Sequence, residues 1–317
     1  MEKYLKGPLL CLCIPIYNRQ SYLIRMLDRF LEDADLFDDN IELLISDNCS
    51  QEDLESICEN YKKRGLKLLF HRNEENLGSN GNFLWCFNNG KCKYLWLLGS
   101  DDIPKRGVLR KIVSYLNNND YGLVHLSINP REKELNTYFD ANEMAVAVSY
   151  WITFMSSNII LTSTLNPLDL LEYKDTWIVQ VPAYLNACLV SPRNAVLYFG
   201  YPFEKENDNK NNGGYNLFQV FIENLFLIYN DFVNKGLLSK QAFEKIKKDE
   251  YRRFLLHYIV NYLIFKKSQK HYFDLDNSWS ILFKHYGRYF YAYYYLLEES
   301  LIKITKGFVN FIHIRMR

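Results

Sequence analysis

The feature that most constrains the fold of this chain is an alternation of strand-like and helix-like segments between residues 9 and 127. Short apolar runs of strand length are separated by stretches in which apolar residues recur at helical spacing. Such an alternation is typical of a mostly parallel, Rossmann-like sheet with helices on both faces. The sequence therefore predicts an α/β fold. The predicted strands are residues 9–14, 41–46, 66–70, 94–98 and 121–127.

The intervening segments predict helices over residues 21–33, from about 53, over 83–88 and over 107–116. Ser50 stands three residues before Asp53, a spacing that resembles a capping box at the start of the second helix. Gly90 marks the end of the third helix.

The second half of the chain has a different pattern. From about residue 130 the alternation breaks up, and residues 205–214 predict a polar loop. Residues 144–168 carry no charge, but their many hydroxyl and amide side chains favour a buried helix and strand over a membrane span. From residue 217 onward the sequence predicts helices rich in Tyr, Phe and Lys. We therefore expect one domain over residues 1–230 and a helical C-terminal extension over 231–317.

Composition argues against nucleic acid as a partner, because 38 basic and 37 acidic residues leave a net charge of only +1. The seven cysteines form no pair of CxxC units and no zinc-like spacing with histidine, so we expect reduced core thiols. The first apolar run is short and lacks a following cleavage site, so we expect no signal peptide. These features are typical of a soluble, cytoplasmic protein.

Polar residues follow four of the predicted strands, at the ends where α/β sheets bind ligands. Asp101 and Asp102 are adjacent carboxylates, which repel each other unless a hard cation such as Mg²⁺ or Mn²⁺ lies between them. The alternative is that Asp102 caps the helix that follows Pro104. The four polar strings are Pro15-Ile16-Tyr17-Asn18-Arg19, Asp47-Asn48, Asn76-Leu77-Gly78 and Ser100-Asp101-Asp102.

Asp47 could accept a hydrogen bond from a nucleobase or a ribose, or simply form a turn. Tyr17 and its neighbours could stack on a base and contact phosphate, or serve only as packing residues. The histidines His71, His125 and His257 stand in no nucleophile or metal pattern, so we interpret them as structural.

Taken in order, the strings CIPIYNR, ISDNCS, NEENLG and WLLGSDD resemble family 2 of the glycosyltransferases, which have the GT-A fold. The resemblance is strongest to the bacterial branch that builds O-antigens and capsules, which includes abequosyltransferase-like proteins. It is strong over residues 8–130 and loose over 131–230, which implies a nucleotide-binding half (1–130) and an acceptor half (131–230). The implied reaction is inverting, metal-dependent transfer of a hexosyl or deoxyhexosyl group from a nucleotide diphosphate sugar to a glycan or lipid-linked acceptor.

The resemblance also implies roles for individual residues. Asp101 and Asp102 match the DXD-type motif that binds Mn²⁺ or Mg²⁺, with Asp102 the preferred direct ligand, although Gly99 stands where many relatives have the first aspartate. Asp47 matches the aspartate that reads the base. The other residues implied to bind the nucleotide sugar are Pro15, Tyr17, Asn18, Arg19, Asn76 and Gly78.

Inverting transfer needs a general base that takes the proton of the acceptor hydroxyl. The resemblance places it on an acidic residue downstream of the metal motif, near a helix start. Asp175, which precedes a predicted helix, is our preferred candidate. The alternatives are Asp169, Glu172, Glu204 and Glu206.

Two other classes of protein stay open at this point. A nucleotidyltransferase that makes nucleotide sugars would normally carry a glycine-rich basic loop where this chain has Pro15-Ile16-Tyr17. A non-catalytic, sugar-nucleotide-binding relative of the same fold would not need intact Asp101 and Asp102.

The C-terminal segment 288–317 is rich in aromatic and basic residues. This mixture predicts docking on the cytoplasmic membrane surface, where a lipid-linked acceptor would lie. The alternative is a helix packed on the catalytic domain or on a second subunit, so the oligomeric state stays open.

Overall fold

The computed structural model describes residues 7–129, 133–204, 213–268 and 272–315. The chain forms two compact units, Met1–Asn207 and Asp208–Arg317. The functional division that we expect at residue 230 stays a prediction.

The first unit is built on one eight-stranded mixed sheet with the strand order β3-β2-β1-β4-β7-β5-β8-β6. The run β3-β2-β1-β4 is parallel, β7 is antiparallel to both β4 and β5, β8 is parallel to β5, and β6 is antiparallel to β8. The predicted α/β fold class is confirmed. The strands are β1 Leu10–Ile16, β2 Ile41–Asp47, β3 Leu69–Arg72, β4 Tyr94–Leu97, β5 Leu123–Ser127, β6 Leu135–Tyr138, β7 Asn158–Leu161 and β8 Asn194–Tyr198.

Helices cover this sheet and bury apolar faces against it. The first helix, for example, buries Leu23, Met26, Leu27 and Phe30, and each such side chain contributes about 1.5–3 kcal/mol when fully buried. Short 3₁₀ turns occupy much of residues 149–173. The α-helices of this unit are α1 Gln20–Leu31, α2 Leu36–Asp39, α3 Leu54–Lys63, α4 Gly78–Asn89, α5 Val108–Asn117, α6 Ala141–Val148 and α7 Gln180–Val190.

One expectation and one alternative about helix starts are wrong. The side chain of Asp53 caps α3 by accepting a hydrogen bond from Ser56 N at 3.1 Å, whereas Ser50 bonds to Asp47. Asp102 does not cap the helix after Pro104, because α5 begins at Val108 and its N-cap is Gly107 with φ +79°. Glycine adopts this left-handed conformation without steric cost. The loop after β4 therefore extends through both aspartates as far as Gly107, where α5 begins.

The charge-free stretch 144–168 contains a buried helix end and a strand, as predicted. Its strand β7 lies between β4 and β5, and the buried Asn158 Oδ1 accepts a hydrogen bond from His125 Nδ1 at 2.9 Å. Burial lowers the pKa of His125 to about 4, so this ring is neutral at pH 7. His125 is thus part of the core.

The second unit is mainly helical. Its core is rich in aromatic side chains, and the buried Lys247 ammonium lies 4.8–5.6 Å from the ring centroids of Phe226, Phe243, Tyr286 and Tyr289. None of its described helices, nor any in the first unit, combines the length and apolar character needed to cross a membrane. Its elements are β9 Gly213–Asn216, α8 Leu225–Asn234, α9 Lys240–Glu250, α10 Leu256–Tyr258, β10 Tyr272–Asp274, α11 Ser278–Tyr286 and α12 Phe290–Arg315, with π-helical turns at Gln219–Asn224, Tyr251–Leu255 and Ile259–Ile264.

Candidate active site

The carboxyl ends of β3, β2, β1 and β4 lie side by side, because these four strands are parallel neighbours. Hydrogen bonds connect the polar segments that follow them. The loop after β1 contacts the loop after β2 through Asn18 N and Ser50 Oγ (2.9 Å) and the loop after β4 through Arg19 and Ser100 Oγ (3.4 Å). The predicted convergence of the four strand ends is confirmed.

The residues after β1 take up this position in different ways. Pro15 lies inside the strand, beyond the last register pair of β1 with β4, so its missing N–H costs no bond to β4. Tyr17 is 42% exposed at the edge of the sheet. Asn18 has φ +50°, and its side chain accepts a hydrogen bond from Gln51 N at 2.8 Å. That bond supports a left-handed conformation that asparagine tolerates better than most residues.

Asp47 is completely buried and has polar partners on both carboxylate oxygens. Oδ1 accepts hydrogen bonds from the backbone N–H and the hydroxyl of Ser50, and Oδ2 is 2.8 Å from Arg72 Nη1. Arg72 also donates to Ser50 O at 2.6 Å, yet 43% of its side chain is exposed. A ligand at this edge would therefore meet the Arg72 guanidinium before it met Asp47.

Arg72 is a candidate binding residue that the sequence analysis missed. It is the last residue of β3 and the register partner of Asp47, but the predicted third strand ended at residue 70. The sequence signal is only a charged residue at the end of a strand, and it becomes informative once the register places Arg72 beside Asp47. Leu66 and Leu68 are buried although they precede the strand, which accounts for the misplaced boundary.

The loop before α4 is fixed by neutral amide side chains. Asn48 donates to Asn76 Oδ1 (2.7 Å) and Gly78 O (3.1 Å), and its own oxygen accepts from Leu77 N (3.0 Å) and from Asn73 (3.1 Å). Asn76 Oδ1 also accepts from Gly78 N at 2.9 Å, and Gly78 has φ +70°. This set of bonds holds the predicted sugar-phosphate loop in one conformation.

Asp101 and Asp102 face the same small space at the end of β4. A Cβ atom at Gly99 would lie 2.9 Å from Asp102 Oδ2 and 3.1 Å from Asp101 Oδ1, so no third side chain fits between them. Asp101 pairs with Arg19 at 3.0 Å. Ser156 donates to Asp102 Oδ2 at 2.5 Å and accepts from Gly99 N at 2.9 Å, which orients the second carboxylate.

Two oxygen-donor side chains at one point fit the coordination preference of Mg²⁺ or Mn²⁺, which bind to one or two carboxylates and keep further positions for water or phosphate. The open side of this pair belongs to the same edge that Arg19 and Arg72 line. The arrangement can therefore bind a divalent cation together with an anionic ligand.

The two candidate general bases that the structure describes in most detail lie at different parts of the site. Asp175 is exposed in a turn before α7, and the preceding Lys174 O accepts a hydrogen bond from Asn80 of α4 at 2.5 Å. Glu204 is exposed. It lies beside the predicted metal motif, because its backbone N–H donates to Ile103 O at 2.8 Å.

The remaining candidates are surface residues or lie outside the description. Asp169 and Glu172 are exposed on a 3₁₀ segment, where Asp169 accepts a hydrogen bond from Asn166 at 2.8 Å. Glu206 lies outside the described residues.

Tyr201 lies close to the aspartate pair on the segment that leads to Glu204. Burial and the nearby charges of Asp102 and Asp101 raise the pKa of its phenol. The Tyr201 carbonyl also accepts a hydrogen bond from Lys105 Nζ at 2.6 Å, so this segment is fixed beside the loop after β4. Tyr201 thus borders the candidate site and, like Arg72, is marked by no sequence motif.

The sequence comparison defines the class of protein to which this fold and site belong. Residues 11–176 match the family described as Glycosyl transferase family 2, and the chain belongs to that family. Among solved structures, S. aureus TarS superposes with a TM-score of 0.56 at 16% identity over 79% of this chain and 43% of that chain. The TarS 1–349 structure in complex with UDP gives 0.56 at 17% over 83% and 76%. The fold is that of the GT-A glycosyltransferases.

Two curated relatives are similar in sequence to part of the chain. The abequosyltransferase RfbV of Salmonella typhimurium is 33% identical over 109 residues, which are 34% of this chain and 32% of that protein. The uncharacterized glycosyltransferase MJ1057 of Methanocaldococcus jannaschii is 29% identical over 115 residues, 35% of this chain and 38% of that protein. The similarity thus spans about a third of each relative's length.

Proposed function

We propose that this protein is a metal-dependent, inverting glycosyltransferase. It moves a sugar from a nucleotide diphosphate sugar to a glycan or lipid-linked acceptor in the synthesis of a bacterial surface polysaccharide. The observation that carries this proposal is the Asp101–Asp102 pair, which faces one space at the carboxyl edge of the sheet beside Arg19. Family membership and the partial similarity to an abequosyltransferase support it.

Asp101 and Asp102 would hold the cation, with Ser156 keeping the Asp102 carboxylate in place. When bound, Mn²⁺ or Mg²⁺ stabilises the negative charge that develops on the leaving diphosphate. Arg19 would support the same charge, because its guanidinium already lies at the carboxylate pair.

The nucleotide would lie along the ends of β1, β2 and β3. There Tyr17 is exposed enough to stack on a base, and the Asp47–Arg72 pair offers a guanidinium at the surface and a carboxylate behind it. A UDP-GlcNAc complex and a UDP complex are known for TarS, which has the same fold.

In the transfer itself, a carboxylate takes the proton of the acceptor hydroxyl. The acceptor oxygen then forms a bond to the anomeric carbon as the bond to the diphosphate breaks, which inverts the configuration. We prefer Asp175 as this base, with Glu204 as the alternative, because both are exposed on segments that border the site.

Replacement of a single metal ligand tests the proposal. Asp102→Asn keeps the size of the side chain and should reduce turnover of the donor by at least about a hundredfold, since a charged ligand of the cation is lost. The control is Asp120→Asn, which removes the charge of an exposed aspartate that forms a salt bridge with Lys93. Full turnover by Asp102→Asn in EDTA would contradict metal dependence and favour a different use of the fold.

A thermal-shift screen of nucleotide sugars with and without Mn²⁺ distinguishes the rival classes of protein. A glycosyltransferase is stabilised by one nucleotide diphosphate sugar and turns it over. Stabilisation without turnover under any acceptor tested would support a non-catalytic relative. Formation of the nucleotide sugar from a sugar phosphate and a nucleoside triphosphate would support a nucleotidyltransferase.

We also propose that the protein docks on the cytoplasmic membrane surface through α12. Its described part exposes large apolar side chains, among them Phe290 (84% exposed), Leu297 (62%) and Leu301 (52%). Apolar and aromatic side chains of this kind insert at the headgroup boundary. Arg315 and Arg317, two of the basic residues that we expect to meet the membrane surface, lie beyond the part of the chain whose side chains are described.

Co-sedimentation with anionic vesicles tests this membrane proposal. A variant with Phe290→Ser, Leu297→Ser and Leu301→Ser keeps the buried face of α12 and should lose most of the binding. The matched control is Leu168→Ser, another exposed leucine. Equal binding of both variants and the unchanged protein would contradict docking through α12.

A further inference from the structure

A second group of side chains with metal-binding chemistry lies at the opposite edge of the sheet. Cys11 is near the amino end of β1, Glu42 near the amino end of β2, and Cys92 just before β4. Cys11 and Glu42 are register partners, so they point to the same face of the sheet. The candidate active site lies at the carboxyl ends of these same strands and uses none of the three.

The distances within this group match those of a tetrahedral metal site. The three ligand atoms lie within 4.8 Å of one another. Cys11 Sγ is 3.5 Å and Cys92 Sγ 3.8 Å from the same oxygen, Glu42 Oε1. With Zn–S and Zn–O bonds of usual length, two ligand atoms on a tetrahedral Zn²⁺ are about 3.6–3.8 Å apart.

The surroundings favour close approach of these atoms. Gly90 leaves room for the segment that carries Cys92, because a Cβ atom at this position would lie 2.5 Å from Leu95 Cδ1 and 3.3 Å from Cys11 Sγ. Cys13 Sγ is 3.5 Å from Cys11 Sγ and 3.9 Å from Cys86 O, and is placed as an outer hydrogen-bond partner. Cys11 and Cys92 are buried, whereas Glu42 is partly exposed, which gives a path to solvent.

We propose that Cys11, Cys92 and Glu42 bind a thiophilic divalent cation of the Zn²⁺ type, with a water molecule as the fourth ligand. Two sulfur ligands select such a cation over Mg²⁺, which prefers oxygen alone. Binding releases the thiol protons and links three neighbouring strand ends. The site is structural, and it is separate from the cation site at Asp101 and Asp102.

Cobalt titration of the full chain tests this site, because Co²⁺ replaces Zn²⁺ and gives a charge-transfer absorption only when thiolates are ligands. The metal-free protein should take up one Co²⁺ with this absorption, and Zn²⁺ should abolish it. Asp102→Asn should leave the absorption unchanged, since the cation site at Asp101 and Asp102 has no thiolate ligand. The absence of a thiolate band in the unchanged protein, with reduced thiols, would overturn the proposal.

Two variants locate the ligands. Cys92→Ala and Glu42→Gln should weaken binding of Co²⁺ by about tenfold to a hundredfold or more. Cys188→Ala, another buried thiol, is the matched control and should bind as the unchanged protein does. Glu42→Gln changes a partly exposed side chain, so it stays informative if Cys92→Ala fails to fold. A thiolate band that survives both changes at full affinity would overturn the assignment of these ligands.

Discussion

Gly99 gives the sharpest prediction about the aspartate pair. Its φ lies outside the left-handed region, so the change Gly99→Ala adds a methyl group without strain in the backbone. The methyl carbon would lie 2.9 Å from Asp102 Oδ2, 3.1 Å from Asp101 Oδ1 and 3.2 Å from Met155 Cε. All three neighbours are ends of side chains that can move by a few tenths of an ångström or more.

The magnitudes differ for stability and for activity. Overpacking costs typically about 1–3 kcal/mol, and replacing glycine by alanine returns about 0.4–1 kcal/mol through the unfolded chain. The net loss in the free energy of unfolding should therefore lie between about 0 and about 2.6 kcal/mol. Relief of these contacts displaces the carboxylates by roughly half of the 1 Å misplacement that costs about a hundredfold, so turnover should fall by about tenfold.

The assay measures turnover of the best nucleotide sugar as a function of Mn²⁺ concentration, together with urea unfolding. Gly7→Ala is the matched control, because a Cβ atom at Gly7 meets nothing within 4 Å. Gly99→Asp, which introduces the aspartate that many relatives have at this position, should be at least as inactive as Gly99→Ala. Unchanged turnover and Mn²⁺ dependence in Gly99→Ala would refute the argument that the two carboxylates share this space.

Three further predictions concern the same unit. Asp47→Asn keeps the bonds from Ser50 but loses the charge opposite Arg72. In steady-state kinetics this variant should raise the donor KM more than it lowers kcat. A collapsed kcat with an unchanged KM would instead assign Asp47 to catalysis. Asp175→Asn should lower kcat by about a hundredfold with donor affinity nearly unchanged, and if it does not, Glu204→Gln should. The neutral His125 has a folded pKa of about 4 against about 6.5 when unfolded, so stability is full above pH 6.5 and falls as the pH drops toward 4. At pH 5 the loss should be about 2 kcal/mol relative to pH 7, and urea unfolding of His125→Gln should lack this component, whereas an equal loss in both proteins would contradict it.

The parts of the fold that were predictable are those with local signals. Apolar runs followed by polar strings located β1, β2 and β4, and Gly90 ended α4 where expected. The insertion of β7 between β4 and β5 was not predictable, because its pairing is decided by tertiary contacts such as that of Asn158 with His125. Its hydroxyl-rich surroundings resemble a loop as much as a strand.

The candidate site shows the same limit. Asp101 and Asp102 stand out in sequence because two acids follow an apolar strand. Arg72 does not, since its importance comes from register with Asp47, and Ser156 reaches Asp102 from a segment more than fifty residues away. The thiol group of Cys11 and Cys92 with Glu42 was invisible for the same reason: spacing along the chain says nothing about side chains that three strands bring together.

The amide contacts around Asn48 have a consequence for how the site responds to its medium. Asn48, Asn73 and Asn82 hold the loops after β2 and β3 together without any formal charge. Neither salt nor protons weaken such bonds at ordinary pH, so the frame of the site keeps its shape when ionic strength changes. The formally charged side chains of the site, Arg19, Arg72, Asp101 and Asp102, are at least partly exposed and do sense the electrolyte. Salt therefore tunes how strongly the site attracts an ion, without altering the shape that the amide contacts give to its loops.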